Sequence, residues 1–165
     1  MKSNLLMDFS VDKENSKINV KREFSAPLSE VWAAWTESEI LDQWWAPKPW
    51  KARTKTMDFQ EGGYWLYAMV GPEGEQHWAR IDYLSIIPEK SFEAQDAFCD
   101  SEGNINNEFP SSNWKTDFSG SANSSVVHIE ITYDSLADLE KYIEMGFKEG
   151  FTMALENLDE LLSQK

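Results

Sequence analysis

Residues 31–50 read VWAAWTESEILDQWWAPKPW and carry five of the chain's eight tryptophans, just ahead of the Gly62-Gly63 pair. Val31, Trp32 and Trp35 stand at i, i+1 and i+4, the apolar stripe of a short helix, and Pro27 suits its first turn, where a backbone N–H is not needed. A second helix is expected at once. Thr36 with Glu39 three residues on has the form of a capping box, and Ile40, Leu41, Trp44 and Trp45 supply an apolar face. Pro47 and Pro49 stop it.

On the N-terminal side, Ile18, Val20, Arg22 and Phe24 alternate with Asn19, Lys21 and Glu23, the period of a strand with one buried face. Residues 1–16 are polar and mixed, with Phe9 and Val11 as anchors, and read as an N-terminal arm or short edge segment before a single domain over 17–165. On the other side, residues 51–133 break at Glu61-Gly62-Gly63, Gly71-Pro72-Glu73-Gly74, Pro88-Glu89, Asp100-Ser101-Glu102-Gly103 and Gly120-Ser121-Ala122-Asn123. These turns predict an antiparallel meander of about six strands, with a long, mobile loop over 104–112. Leu136, Leu139, Ile143, Phe147, Phe151, Ala154, Leu155, Leu158 and Leu162 then recur at steps of three and four, predicting one long amphipathic helix capped by Ser135. Gly146 and Gly150 inside it permit close approach to the sheet or a bend above a cavity.

The chain of 165 residues is long enough to bury roughly 70% of its unfolded surface without staples. Its formal charge of −14 repels phosphate backbones and anionic headgroups, so neither nucleic acid nor a membrane surface is an expected partner. The single cysteine, Cys99, allows no internal disulfide and suits a reducing compartment, the cytoplasm. Leu5-Leu6-Met7 is cut off by Asp8, far short of a secretory core. His77 and His128 lack a second ligand at metal spacing, so no metal is expected and both read as structural or surface residues. No phosphate loop, nucleophile elbow or paired-carboxylate motif is present, which leaves no cofactor and no catalytic residue to assign.

Taken in order, Ala26-Pro27, Val31-Trp32, Ala34-Trp35-Thr36, Trp44-Trp45-Ala46-Pro47, Gly62-Gly63-Tyr64-Trp65, Gly71-Pro72-Glu73-Gly74, Phe98-Cys99-Asp100 and Gly146-Phe147-Lys148-Glu149-Gly150-Phe151 resemble the signature of the SRPBCC (START-like) superfamily. More narrowly, the chain is similar to bacterial homologues of the C-terminal domain of the ninety-kilodalton heat-shock protein's ATPase activator, over about Lys17 to Leu162. The resemblance implies an α+β helix-grip fold: a strand, two short helices, about six further antiparallel strands, and a long C-terminal helix gripped by the curved sheet, with a cavity between. The chain departs from that pattern at Phe147 and Phe151, where methionine and tryptophan are common, and in the longer, more polar stretch 101–125.

The aromatic set that could line such a cavity is Trp65, Tyr67 and Met69 at period two, Trp78 and Tyr83, Phe98, Phe118, and Phe147 and Phe151 on the helix. Arg22, Asp96 and His128 are its candidate polar partners, the usual makeup of a small-molecule site. The cluster Trp32, Trp35, Trp44 and Trp45 is expected to close one end of the grip without touching ligand. Three function classes remain: a binding module for a small apolar or aromatic molecule, which is the favoured reading; a cyclase- or hydrolase-type enzyme; and a protein-interaction domain of the chaperone-activator kind. The last is disfavoured because residues 1–16 are too short for the chaperone-binding domain of the eukaryotic activators. Self-association is left open as far as a weak homodimer.

Overall fold

A computed structural model describes residues 6–163, so Leu5, at the head of the short apolar run, lies outside the described residues. The order of elements is β1 (Met7–Asp12), β2 (Lys17–Phe24), α1 (Leu28–Thr36), α2 (Ser38–Trp44), β3 (Lys51–Met57), β4 (Tyr64–Val70), β5 (Gln76–Ile87), β6 (Ser91–Cys99), β7 (Ser112–Gly120), β8 (Ser125–Tyr133), α3 (Leu136–Glu144) and α4 (Phe147–Ser163). All eight strands join one antiparallel sheet in the order β1-β2-β8-β7-β6-β5-β4-β3. The two short helices thus carry the chain from one side of the sheet to its far edge, and β3 to β8 are the six-stranded meander. This is the α+β helix-grip arrangement.

Strand alternation decides what the sheet buries. On β8, Val127, Ile129, Ile131 and Tyr133 point inward, and on β2 Ile18, Val20, Arg22 and Phe24 do. The α4 face that meets them carries Phe151, Ala154, Leu155, Leu158 and Leu162. Register shifts at Thr54/Thr56 and Tyr83/Ser85 interrupt two ladders near the β3-β4-β5 side. Such bulges sharpen the local twist and help a sheet curve around a helix.

Residues 7–12 take the edge-segment alternative, since Met7 to Asp12 pair in register with Arg22 to Lys17. Three other local expectations are revised. Thr36 does not cap the second helix: it is the last residue of α1, and its Oγ1 donates to the Trp32 carbonyl, while Glu37 occupies the N-cap of α2 without a side-chain bond. The C-terminal helix is two helices, because Gly146 takes φ +90° between α3 and α4, the left-handed residue that commonly ends a helix. Ser135 does cap α3, accepting from the Asp138 backbone N–H at 3.2 Å. Finally, the long loop before β7 is tied down. Asp100 accepts from the backbone of Glu102 and Asn104, Asn106 N donates to the Phe98 carbonyl, and the Tyr142 hydroxyl donates to the Pro110 carbonyl.

Candidate functional site

Between the inner face of β4, β5, β6 and β7 and the kinked pair α3 and α4 lies an apolar cavity of about 230 Å³. The sheet contributes Tyr67 and Met69 from β4, His77 and Ala79 from β5, Asp96 and Phe98 from β6, and Trp114 from β7. The helices close it with Tyr142, Phe147 and Phe151, and Met145, Gly146 and Gly150 come from the kink and the first turn of α4. Trp45 and Pro47, just past α2, complete the wall.

The rings are packed against one another in ways that hold the walls apart. Phe147 and Phe151, one turn apart, stack with centroids 5.4 Å apart, and Phe98 stacks on Tyr142 at 6.0 Å. Trp114 meets both helix phenylalanines edge-on. The break at Gly146 separates α3 from α4 beside the cavity, and Gly146 itself lines it. Gly150 also lines the cavity, with Pro47 Cγ at 3.7 Å, an ordinary contact distance, from where its Cβ would stand. Asn157 Nδ2 donates to the Ala46 carbonyl at 3.1 Å and fastens α4 to the chain just past α2.

Two polar groups sit among these rings. Tyr67 Oη accepts from Trp45 Nε1 at 2.9 Å, and burial, then the nearby Asp96 charge, push its phenol well up, so it stays protonated. Asp96 is only partly exposed, and the surface it keeps faces the cavity. Burial pushes its carboxyl from the ordinary 3.8 up to about 7, opposed only by the Ala97 backbone N–H, which favours the charge. Tyr133 and Tyr142 are also pushed up, by burial first and then by Asp96.

Of the residues singled out from sequence, Tyr67, Met69, Asp96, Phe98, Phe147 and Phe151 therefore meet around one cavity. The others do not. Trp65 and Tyr83 lie one layer below, beside a separate void of about 20 Å³. Phe118 packs against Trp32, Trp35 and Phe92. Trp78 is on the opposite sheet face, next in chain to the inward Ala79, with Lys55 Nζ 5.8 Å from its ring. His128 points outward between the buried Val127 and Ile129 and reaches Asn19 on β2. Arg22 is buried but pairs with Asp159 at 3.5 Å, away from the cavity.

The tryptophan cluster divides. Trp35 and Trp44 are core and Trp32 packs on Phe59, Phe92 and Phe118, but Trp45 reaches the cavity, correcting its assignment to a purely structural cap. His77 is exposed, as expected of a surface residue, and stands at the rim of the cavity with Trp50 5.4 Å away. Trp114 and Tyr142 join the wall in addition to the residues expected from sequence. Trp114 shares the inward parity of Thr116 and Phe118 on β7, a signal that was present. Burial pushes the Cys99 thiol up to about 11, which keeps it a poor nucleophile. Among the described residues, no group of three or more His, Cys, Asp or Glu side chains is placed to hold a metal ion.

The sequence profile described as Activator of Hsp90 ATPase homolog 1-like protein matches residues 25–163. The chain belongs to that family. The chain is similar to a protein from Arthrobacter aurescens solved in solution, 29% identical, with a TM-score of 0.90 over 96% of this chain and 92% of that one. Protein Ms6760 from Mycobacterium smegmatis is 26% identical, with a TM-score of 0.87 over 96% of each chain. CalU16 from Micromonospora echinospora, at 19% identity and a TM-score of 0.62 over 98% of this chain and 87% of that one, shares the fold. No curated protein matches the chain. Within this Hsp90-activator-like family, the fold is that of a ligand-binding or activator-type domain.

Proposed function

We propose that the protein binds a small hydrophobic or aromatic molecule in the cavity between the sheet and the C-terminal helices, with no catalysis assumed. The observation that carries this reading is a space of about 230 Å³ walled by aromatic rings with two convergent polar groups, Tyr67 and Asp96. A filled core would bring Phe147 and Phe151 down onto Phe98; here a gap remains, lined also by Gly146 and Gly150. The acidic surface and lone cysteine support a cytoplasmic protein whose partner is the small molecule, not nucleic acid or membrane, and which holds no cofactor. Among the described residues, no helix is long and apolar enough to cross a membrane.

Titration with a hydrophobic fluorescent probe tests the reading, alongside native mass spectrometry for a co-purified molecule. Saturable binding that Phe151→Ala weakens and Gly150→Leu abolishes is the expected result. Absence of saturable binding across a broad apolar library would overturn it.

One observation favours the enzyme alternative enough to keep it. Asp96 titrates near neutrality inside the cavity, where a carboxyl can give or take a proton at working pH. No nucleophile or second acid stands with it in the wall: the phenols are held protonated, and His77 lies at the Trp50 rim.

A further inference from the structure

Asp96 is a carboxylate without a counter-charge. The wall around it contains no lysine or arginine, and the chain's ion pairs near this side of the sheet, such as Arg80 with Asp82, belong to strand positions of the opposite parity. The titratable groups that face Asp96 from the packed elements are Tyr67 on β4, Tyr133 on β8, Tyr142 on α3 and His77 on β5, while the Cys99 thiol lies on the other face of its own strand. An ionisable group aimed into an apolar cavity with no opposite charge beside it is costly to ionise unless a ligand supplies that charge.

We infer that the cavity selects an organic cation, a primary or secondary ammonium on an aromatic frame, with its nitrogen seated on the Asp96 carboxylate and its frame among Phe98, Trp114, Phe147 and Phe151. The inference rests on the binding reading above and names its ligand class. Three physical terms favour it. A charge-assisted N–H···O bond to Asp96 forms where water is scarce, and the ring faces of Trp114 and the two phenylalanines attract the adjacent cation. The formal charge of −14 draws cations toward the molecule and repels carboxylates of the same shape.

A matched trio of probes separates charge from shape: phenethylammonium, phenethyl alcohol and phenylacetate, titrated calorimetrically into the full chain. At about pH 8 the ammonium should bind about tenfold or more tightly than the alcohol, and phenylacetate weakest. Asp96→Asn should erase the advantage of the ammonium over the alcohol, so that the two bind alike. Should that variant fold poorly, the native protein carries the test alone: affinity for the ammonium should fall about tenfold from about pH 8 to about pH 6, as Asp96 takes up its proton, and affinity for the alcohol should not move. Equal binding of all three probes, or preference for phenylacetate, overturns the cation inference and leaves the binding cavity standing. If none of the three binds and the apolar library is also silent, both fall together.

Discussion

Trp45 Nε1 donates to Tyr67 Oη at 2.9 Å, joining the residue just past α2 to the middle of β4 across the wall of the cavity. Both side chains are buried, and Trp45 also packs on Trp65, Trp114 and Phe151. The bond fixes which edge of the indole faces the cavity. Tyr67→Phe leaves the indole N–H without its acceptor, and a buried unsatisfied donor costs about 1–3 kcal/mol. Urea denaturation should show that loss, and tryptophan emission should shift as the indole changes environment. Unchanged stability together with unchanged emission would show that the bond holds nothing in place.

Asp96 should make stability fall as pH rises. The unfolded carboxyl titrates near 3.8 and the folded one near 7, so the folded state holds the proton through that window. Its contribution is fully present below about pH 4, is lost progressively up to about pH 7, and stays lost above, an effect on the order of a few kcal/mol. Asp96→Asn removes the titration, so the variant should be more stable than the parent at about pH 8, with the difference shrinking toward zero below about pH 4. Paired urea melts across that range check it, because the repulsion among the other carboxylates cancels in the difference.

Gly146 and Gly150 should respond to alanine with opposite signs. At Gly146 a Cβ meets nothing within 4 Å, so Gly146→Ala suffers only from the left-handed φ of +90°, a cost of roughly 1–2 kcal/mol. Gly150 lies inside α4, and its Cβ would make an ordinary contact with Pro47, so Gly150→Ala should gain up to about 1 kcal/mol from helix propensity. Thermal melts of the two variants read the signs directly. A destabilised Gly150→Ala would mean that α4 approaches Pro47 more tightly than that 3.7 Å spacing allows.

Trp35 is the structural member of the cluster. It packs on Phe24, Trp44 and Phe118 and is almost wholly buried, with no place in the cavity wall. Trp35→Ala should cost about 3–5 kcal/mol, a large part of a domain's stability. Calorimetry should find the variant unfolded or melting far lower. Full stability with loss of probe binding alone would move Trp35 into the site.

Periodicity by itself determined the frame of this protein. The alternation on β2, the turns that separate β3 to β8, the apolar stripe from Leu139 to Leu162 and the cap at Ser135 are all readable because each reflects a local period or a local hydrogen bond. Parity along β5 and β8 even contained the reason Trp78 and His128 face away: each sits beside an inward residue, Ala79 in one case and Val127 and Ile129 in the other. Thr36 misled because a hydroxyl that caps a helix in one context closes the last turn of the preceding helix in another. Only the tertiary structure decided which inward residues line an opening and which fill the core. Trp65 and Tyr67 have the same parity on the same strand, yet one lies in the core layer and the other at the cavity. Local period encodes the direction of a side chain. The distance across to the opposing layer depends on the break at Gly146, the approach of α4 to Pro47 and the seating of Trp45 on Tyr67, none of which is local in the chain.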